Sequence, residues 1–191
     1  MMKLWQIYNV ALHVLGRSCT EQSLSQAPLS TEVEYCNTFY PQACDRALAE
    51  SDWSFFIRPI PIPEHLERTG CGGKFSFKLP YGLEKLVPAR DSGPYQVLGG
   101  YYLSDKTPGE LYGIFDDYME MDHPRTFDNL VAYALAIILC PILAPGDQQM
   151  YQAAMQNYAW CLGSLRQAEA FNNSKEFMNE PEPTTRRVEI Y

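Results

Sequence analysis

The chain has 191 residues, 46% of them hydrophobic and 20% charged, and its 15 Lys and Arg against 23 Asp and Glu leave a formal net charge of −8. That length suffices for one domain, or for one core with an inserted lobe. The acidic excess is spread along the sequence without a basic segment, which excludes wrapping of duplex DNA through phosphate neutralisation and suits, at most, a surface past which DNA slides without sticking.

The first residues do not read as a secretion signal, because Leu4, Ile7, Tyr8, Ala11, Leu12 and Leu15 are spaced helically and mixed with Gln6, Asn9 and His13. They predict a helix from Lys3 to Leu15, ended by Gly16 in a left-handed cap. Residues 17–29 are a polar loop. Thr31 with Glu34 has the pattern of a capping box and opens a helix to about Glu50, with an apolar face of Val33, Cys36, Phe39, Tyr40, Ala43, Ala47 and Leu48 and a bend expected at Pro41. Ser51-Asp52 breaks it, and Trp53, Phe55, Phe56 and Ile57 start a first strand.

From residue 58 the pattern changes. Pro59, Pro61 and Pro63 keep the chain extended, and Gly70 to Gly73 form a loop. Phe75, Phe77 and Leu79 alternate with polar residues at the period of a half-buried strand, and Leu83 to Arg90 reads as another. Tyr95 to Leu98, Gly99-Gly100 and Tyr101 to Leu103 form a hairpin signal, since two glycines supply the positive φ angles of a tight turn. A last strand covers Leu111 to Phe115.

Two helices follow. Phe127, Leu130, Val131, Tyr133, Ala134, Leu135, Ile137, Ile138, Leu139, Ile142 and Leu143 crowd into one nearly all-apolar helix, opened by Asp122 or Thr126 around Pro124 and stopped or bent near Pro141. It falls short of the roughly 20 apolar residues that cross a bilayer, so it is expected to be a buried core helix. After Ala144-Pro145-Gly146, a second helix buries Tyr151, Ala154, Met155, Tyr158, Cys161, Leu162, Leu165 and Ala168 and ends at Asn172 to Ser174. The expected fold is therefore α+β and mostly helical. Residues 1–57 and 122–171 form a helical bundle, 58–121 an inserted antiparallel β lobe, and 172–191 an extended C-terminal arm. In that arm Glu180-Pro181-Glu182-Pro183 cannot be helical, and Arg186, Arg187, Val188, Glu189, Ile190 and Tyr191 alternate well enough to add as a strand to another chain.

No constellation for catalysis emerges. Cys19, Cys36, Cys44, Cys71, Cys140 and Cys161 are scattered and read as reduced, buried small hydrophobes. His65 with Cys71 makes two potential ligands where a zinc site wants about four, and His13 and His123 stand alone. Gly70-Cys71-Gly72-Gly73-Lys74 lacks the spacing of a phosphate loop and precedes a strand, not a helix. Asp116, Asp117, Glu120 and Asp122 cluster after the last strand, where a solvated acidic turn is the plainer reading than a hard-cation site. No catalytic, cofactor or metal residue is assigned. The alternative is a small soluble enzyme or ligand-binding protein, working through the 65–74 loop with His65, Cys71 and Lys74 or through the carboxylates between 116 and 122.

Four stretches together resemble the tail tubular protein A family, the head-to-tail adaptors of short-tailed phages. They are NVALHVLGRS, then CNTFYPQACDRALAESDWSFFIRP, then KLPYGLEKLVPAR, and finally YYLSDKTPGELYGIFDD leading into FDNLVAYALAIILCPILAPGDQQMYQAAMQNY. In order and spacing they cover about residues 5–171, leaving out the segment 59–73 and the arm. The resemblance implies a structural virion protein and not an enzyme: a dodecameric ring with no cofactor that joins the portal protein to a nozzle protein like tail tubular protein B. Such a ring is assembled in the host cytoplasm, passes genomic DNA without reading its sequence and has no membrane partner. The expected docking residues of the arm are Arg186, Arg187, Val188, Ile190 and Tyr191.

Overall fold

A computed structural model describes residues 1–63, 67–68, 75–88, 94–106 and 109–178. The fold is mixed α+β and mostly helical, with four α-helices and two small antiparallel sheets. The chain divides into two compact units. Residues 2–47 with residues 126 onward make a helical unit, and residues 48–125 with Met1 make a sheet unit. Residues 48–57, which the sequence placed with the helices, thus belong to the sheet unit.

The helical unit contains α1 (Leu4–Val14), α2 (Thr31–Ala49), α3 (Arg125–Leu143) and α4 (Gln148–Met178). The end residues Leu48, Ala49 and Arg125 are counted with the sheet unit. Helix α1 buries Ile7, Tyr8, Ala11 and Leu12, whereas Leu4 is exposed. It closes as expected: Gly16 has φ +69°, its N–H donates to the His13 carbonyl at 3.1 Å, and the Arg17 N–H donates to the Leu12 carbonyl at 2.9 Å. Those two bonds and the left-handed glycine are a Schellman cap. A 3₁₀ turn at Glu21–Leu24 interrupts the predicted loop.

Helix α2 starts one residue away from the predicted capping box. Ser30 is the cap, its Oγ accepting the Val33 N–H at 3.4 Å, and Thr31 is the first helical residue. A shift of one position takes Glu34 out of the place that a capping box requires. The helix runs through Pro41, whose flank is exposed. Tyr8 ties α1 to α2 by donating its hydroxyl to Asn37 Oδ1 at 2.9 Å and setting its ring edge-on to Tyr40.

Helix α3 is the centre of its unit, burying Phe127, Leu130, Val131, Ala134, Leu135, Ile137, Leu139 and Cys140. It is long and apolar enough to cross a membrane, but much of that apolar length is already buried in protein. Ile142 is exposed, and Tyr133, Ile138 and Leu143 are half-buried. Asp128, fully buried in its first turn, accepts the Met2 N–H at 2.5 Å, a negative charge placed where the helix dipole favours it. Pro141 lies within the last turn and the helix ends two residues later. There Arg17 donates to the Leu143 carbonyl at 3.1 Å while also pairing with Glu32, so one guanidinium satisfies a helix C-terminus.

Helix α4 buries a narrower stripe than predicted: Ala154, Tyr158, Cys161 and Leu165 are buried, while Tyr151, Met155 and Ala168 are exposed. Arg46 of α2 lies over the Tyr158 ring, 5.1 Å from its centroid. The helix also continues past Asn172, Asn173 and Ser174 to Met178. Asn and Ser are weaker helix formers by only about 0.5 kcal/mol each, too little to stop a helix that has already propagated. The arm therefore does not begin at 172, and residues 179–191 lie outside the described residues.

The sheet unit opens differently from expectation. Trp53 to Ile57 start no strand; Ser54–Phe56 is a 3₁₀ turn. Spacing of three on such a turn lets Trp53 and Phe56 face inward together, and both are fully buried. Phe56 packs edge-on against Tyr118, 5.1 Å between centroids, and against His123 at 5.4 Å. Among the described residues seven strands follow: β1 (Arg58–Pro59), β2 (Glu67–Arg68), β3 (Phe75–Lys78), β4 (Leu83–Pro88), β5 (Tyr95–Leu98), β6 (Tyr101–Ser104) and β7 (Leu111–Phe115). They form two sheets, ordered β1-β7-β4 and β2-β3-β6-β5, where the sequence led us to expect one. Their shared core is Ile60, Phe77, Tyr102 and Leu111, flanked by Ile62, Leu79, Leu83, Leu86 and Phe115. Gly113, central in β7, leaves room for Leu83 and Ile60; a Cβ there would stand 2.3 Å from Leu83 Cδ1.

Candidate interaction surface

The sheet unit carries an exposed apolar surface built on the β5–β6 hairpin. Gly99 and Gly100, at φ +58° and +78°, make the two-residue turn that brings Leu98 opposite Tyr101 and Val97 opposite Tyr102. Side chains opposite one another share a sheet face. The row Phe77, Tyr102, Val97 therefore runs along one face of β3, β6 and β5. Phe77 and Tyr102 are buried, but Val97 is 50% exposed. All four residues of β5 are exposed, with Leu98 at 72%.

Beside this hairpin lies a groove of about 730 Å³, lined by Leu79, Pro80, Leu83, Leu86 and Val97, with Lys78 and Glu84 as its charged members. Tyr81 also lines it and is 99% exposed. Gly82 fixes that turn: its φ is +75°, its carbonyl accepts the Asp116 N–H at 2.8 Å, and a Cβ would meet Asp116 Oδ1 at 2.7 Å. A mostly apolar groove beside an uncharged strand that, among the described residues, is paired on one edge only has the chemistry to accept extended chain, since it offers backbone hydrogen bonds on one side and contact area on the other.

The residues singled out for chemistry are dispersed. Asp116, Asp117, Glu120 and Asp122 are all exposed. Asp117 is engaged by Arg58, whose Nη1 donates to Oδ2 at 3.0 Å and whose guanidinium also covers the Phe115 ring at 4.5 Å. Among the described residues no three His, Cys, Asp or Glu side chains come together as a metal site. His123 is buried, its Nδ1 2.7 Å from the Met121 carbonyl, and His13 is exposed on α1. Cys19, Cys36, Cys44, Cys140 and Cys161 are buried and not joined in disulfides. Burial raises the Cys19, Cys140 and Cys161 thiols and, with Cys19 and Glu32 nearby, pushes Cys36 up to about 12. Those four stay protonated at neutral pH and are poor nucleophiles. His65, Cys71, Lys74 and the docking residues Arg186, Arg187, Val188, Ile190 and Tyr191 lie outside the described residues.

The Gly99-Gly100 signal found the hairpin but not its exposure, because an edge strand and a central strand share one period. No family model matches the chain, and no curated protein matches its sequence.

Proposed function

We propose that the chain is a structural subunit of a virion head-to-tail connector. In this reading it forms a ring, dodecameric by the resemblance to tail tubular protein A, joins the portal protein to the tail nozzle protein and surrounds the passage for genomic DNA. It acts without catalysis or cofactor and is assembled in the host cytoplasm. The observation that carries the reading is the uncharged β5 strand, exposed at all four residues, beside an apolar groove, a surface suited to assembly and unprotected against it. The acidic charge supports it as well: a net −8 disfavours adhesion to DNA, and the four motif stretches fall in the adaptor order.

The test is the mass of the purified protein alone and after mixing with the portal ring of the same virus. A ring of this chain seated on the portal is the expected result. A chain that stays apart from portal and nozzle proteins overturns the reading and returns attention to the 65–74 loop and the carboxylates.

A further inference from the structure

We propose that the groove beside β5 receives residues 186–191 of a second copy, added to the β2-β3-β6-β5 sheet as a fifth strand. The inference rests on the connector reading for its need of a ring, but the contact is testable without portal.

The acceptor side follows from the hairpin. In a two-residue turn the flanking residues Leu98 and Tyr101 form the hydrogen-bonded pair, so Gln96 also points its backbone toward β6. The N–H and C=O groups of Tyr95 and Val97 then point away from β6, and among the described residues β5 pairs with β6 alone. Natural edges are usually blunted by charge, proline or a bulge; Tyr95-Gln96-Val97-Leu98 has none. The inward row Phe77, Tyr102, Val97 goes from buried to half exposed, so among the described residues the core lacks its cover at β5. A further strand would supply the next side chain of that row over Leu83 and Leu86 of the groove.

The occupant follows from the sequence. It must be extended and place β-branched residues two apart on one face. The alternating segments at 75–78, 83–88, 95–98, 101–104 and 111–115 are already strands. The segment Arg186 to Tyr191, outside the described residues, sets Arg186, Val188 and Ile190 on one face and Arg187, Glu189 and Tyr191 on the other. Val188 and Ile190 suit the apolar floor, and the groove offers Glu84 to Arg186 and Lys78 to Glu189 or the terminal carboxylate as opposite charges. The uncharged β5 edge repels neither sign. Contact between an arm and a different surface of the next copy is heterologous, and such contacts form a ring where the rotation from copy to copy closes.

The experiment uses the full chain with a photo-crosslinking benzoylphenylalanine in place of Tyr191. Ordinary and ¹⁵N-labelled protein are mixed without portal at concentrations up to about 1 mM, the range of weak association. The expected result is a crosslink from 191 to residues 95–98 or to the groove, between copies of different isotope. Its yield should fall about tenfold with Val97→Lys, and equally with Val188→Asp plus Ile190→Asp. Crosslinks only within one isotope, crosslinks to another surface, or none at the highest concentration each overturn the inference. The connector reading then still stands or falls on the portal mixing experiment.

Discussion

Helix α3 and strand β5 are both rich in apolar residues, yet α3 buries most of its length and β5 buries none of its four residues. The difference is geometric. A helix that is apolar on nearly every side must find partners all round, and α3 is buried at most positions from Phe127 to Cys140. A strand has two faces and two edges, and among the described residues β5 is paired on one edge only. The helical unit thus uses its apolar residues to hold itself together, while the sheet unit leaves some of its own exposed at β5.

The sharpest way to break this comparison is Leu139→Ala. Leu139 is fully buried in α3, and truncations of this kind cost about 2–5 kcal/mol according to how far the site can collapse. Urea unfolding followed by circular dichroism should show a loss in that range, with faster amide exchange through α3. A loss below about 1 kcal/mol, the surface range, would mean that α3 is not the core of its unit.

Gly113→Ala probes the other side with a smaller effect. The added methyl meets Leu83 Cδ1 at 2.3 Å, Ile60 Cδ1 at 3.0 Å and the Lys85 carbonyl at 3.1 Å. Side chains can give way but the β4 backbone cannot do so freely, so overpacking of about 1–3 kcal/mol is expected. Hydrogen exchange should speed up in β4 and β7 while α3 stays protected. Equal loosening of both would show that the two units do not open separately.

What was legible in the sequence was local. Gly16 announced the end of α1 and Gly99-Gly100 the hairpin, because a left-handed backbone has few solutions other than glycine. The apolar run after Phe127 announced a core helix. What was missed depended on a single position or on distant partners. Ser30 and Thr31 are both good caps, and only the structure decides between them. Trp53 to Ile57 has strand-forming residues, but burial of Trp53 and Phe56 from one turn overrides that preference. Division into two sheets depends on β4 choosing β7 and β3 choosing β6, a choice that alternation alone does not encode. In the candidate surface, the groove unites residues 78–86 with Val97 and Gly100, and Arg58 meets Asp117 from 59 positions away; no spacing rule reaches that far.

The smallest expected effect concerns how well the helical unit is sealed. Burial, then Cys19 and Glu32, push the Cys36 thiol up to about 12, and burial also raises Cys19 and Cys161. An unfolded thiol releases its proton near pH ~8.5, while the folded one keeps it. The folded state therefore binds more protons above that pH, and its stability, complete below it, falls as pH rises toward the folded value. Cys36→Ala removes one such group. Its urea midpoint is lower at pH 7 because a small cavity opens, but it should fall less steeply between about pH 8.5 and 10, a window below the ordinary tyrosine range. Parallel slopes for the two proteins would mean that Cys36 ionises as readily folded as unfolded. Water would then reach the space between α1 and α2, and the contrast between a sealed helical body and an open β edge would narrow.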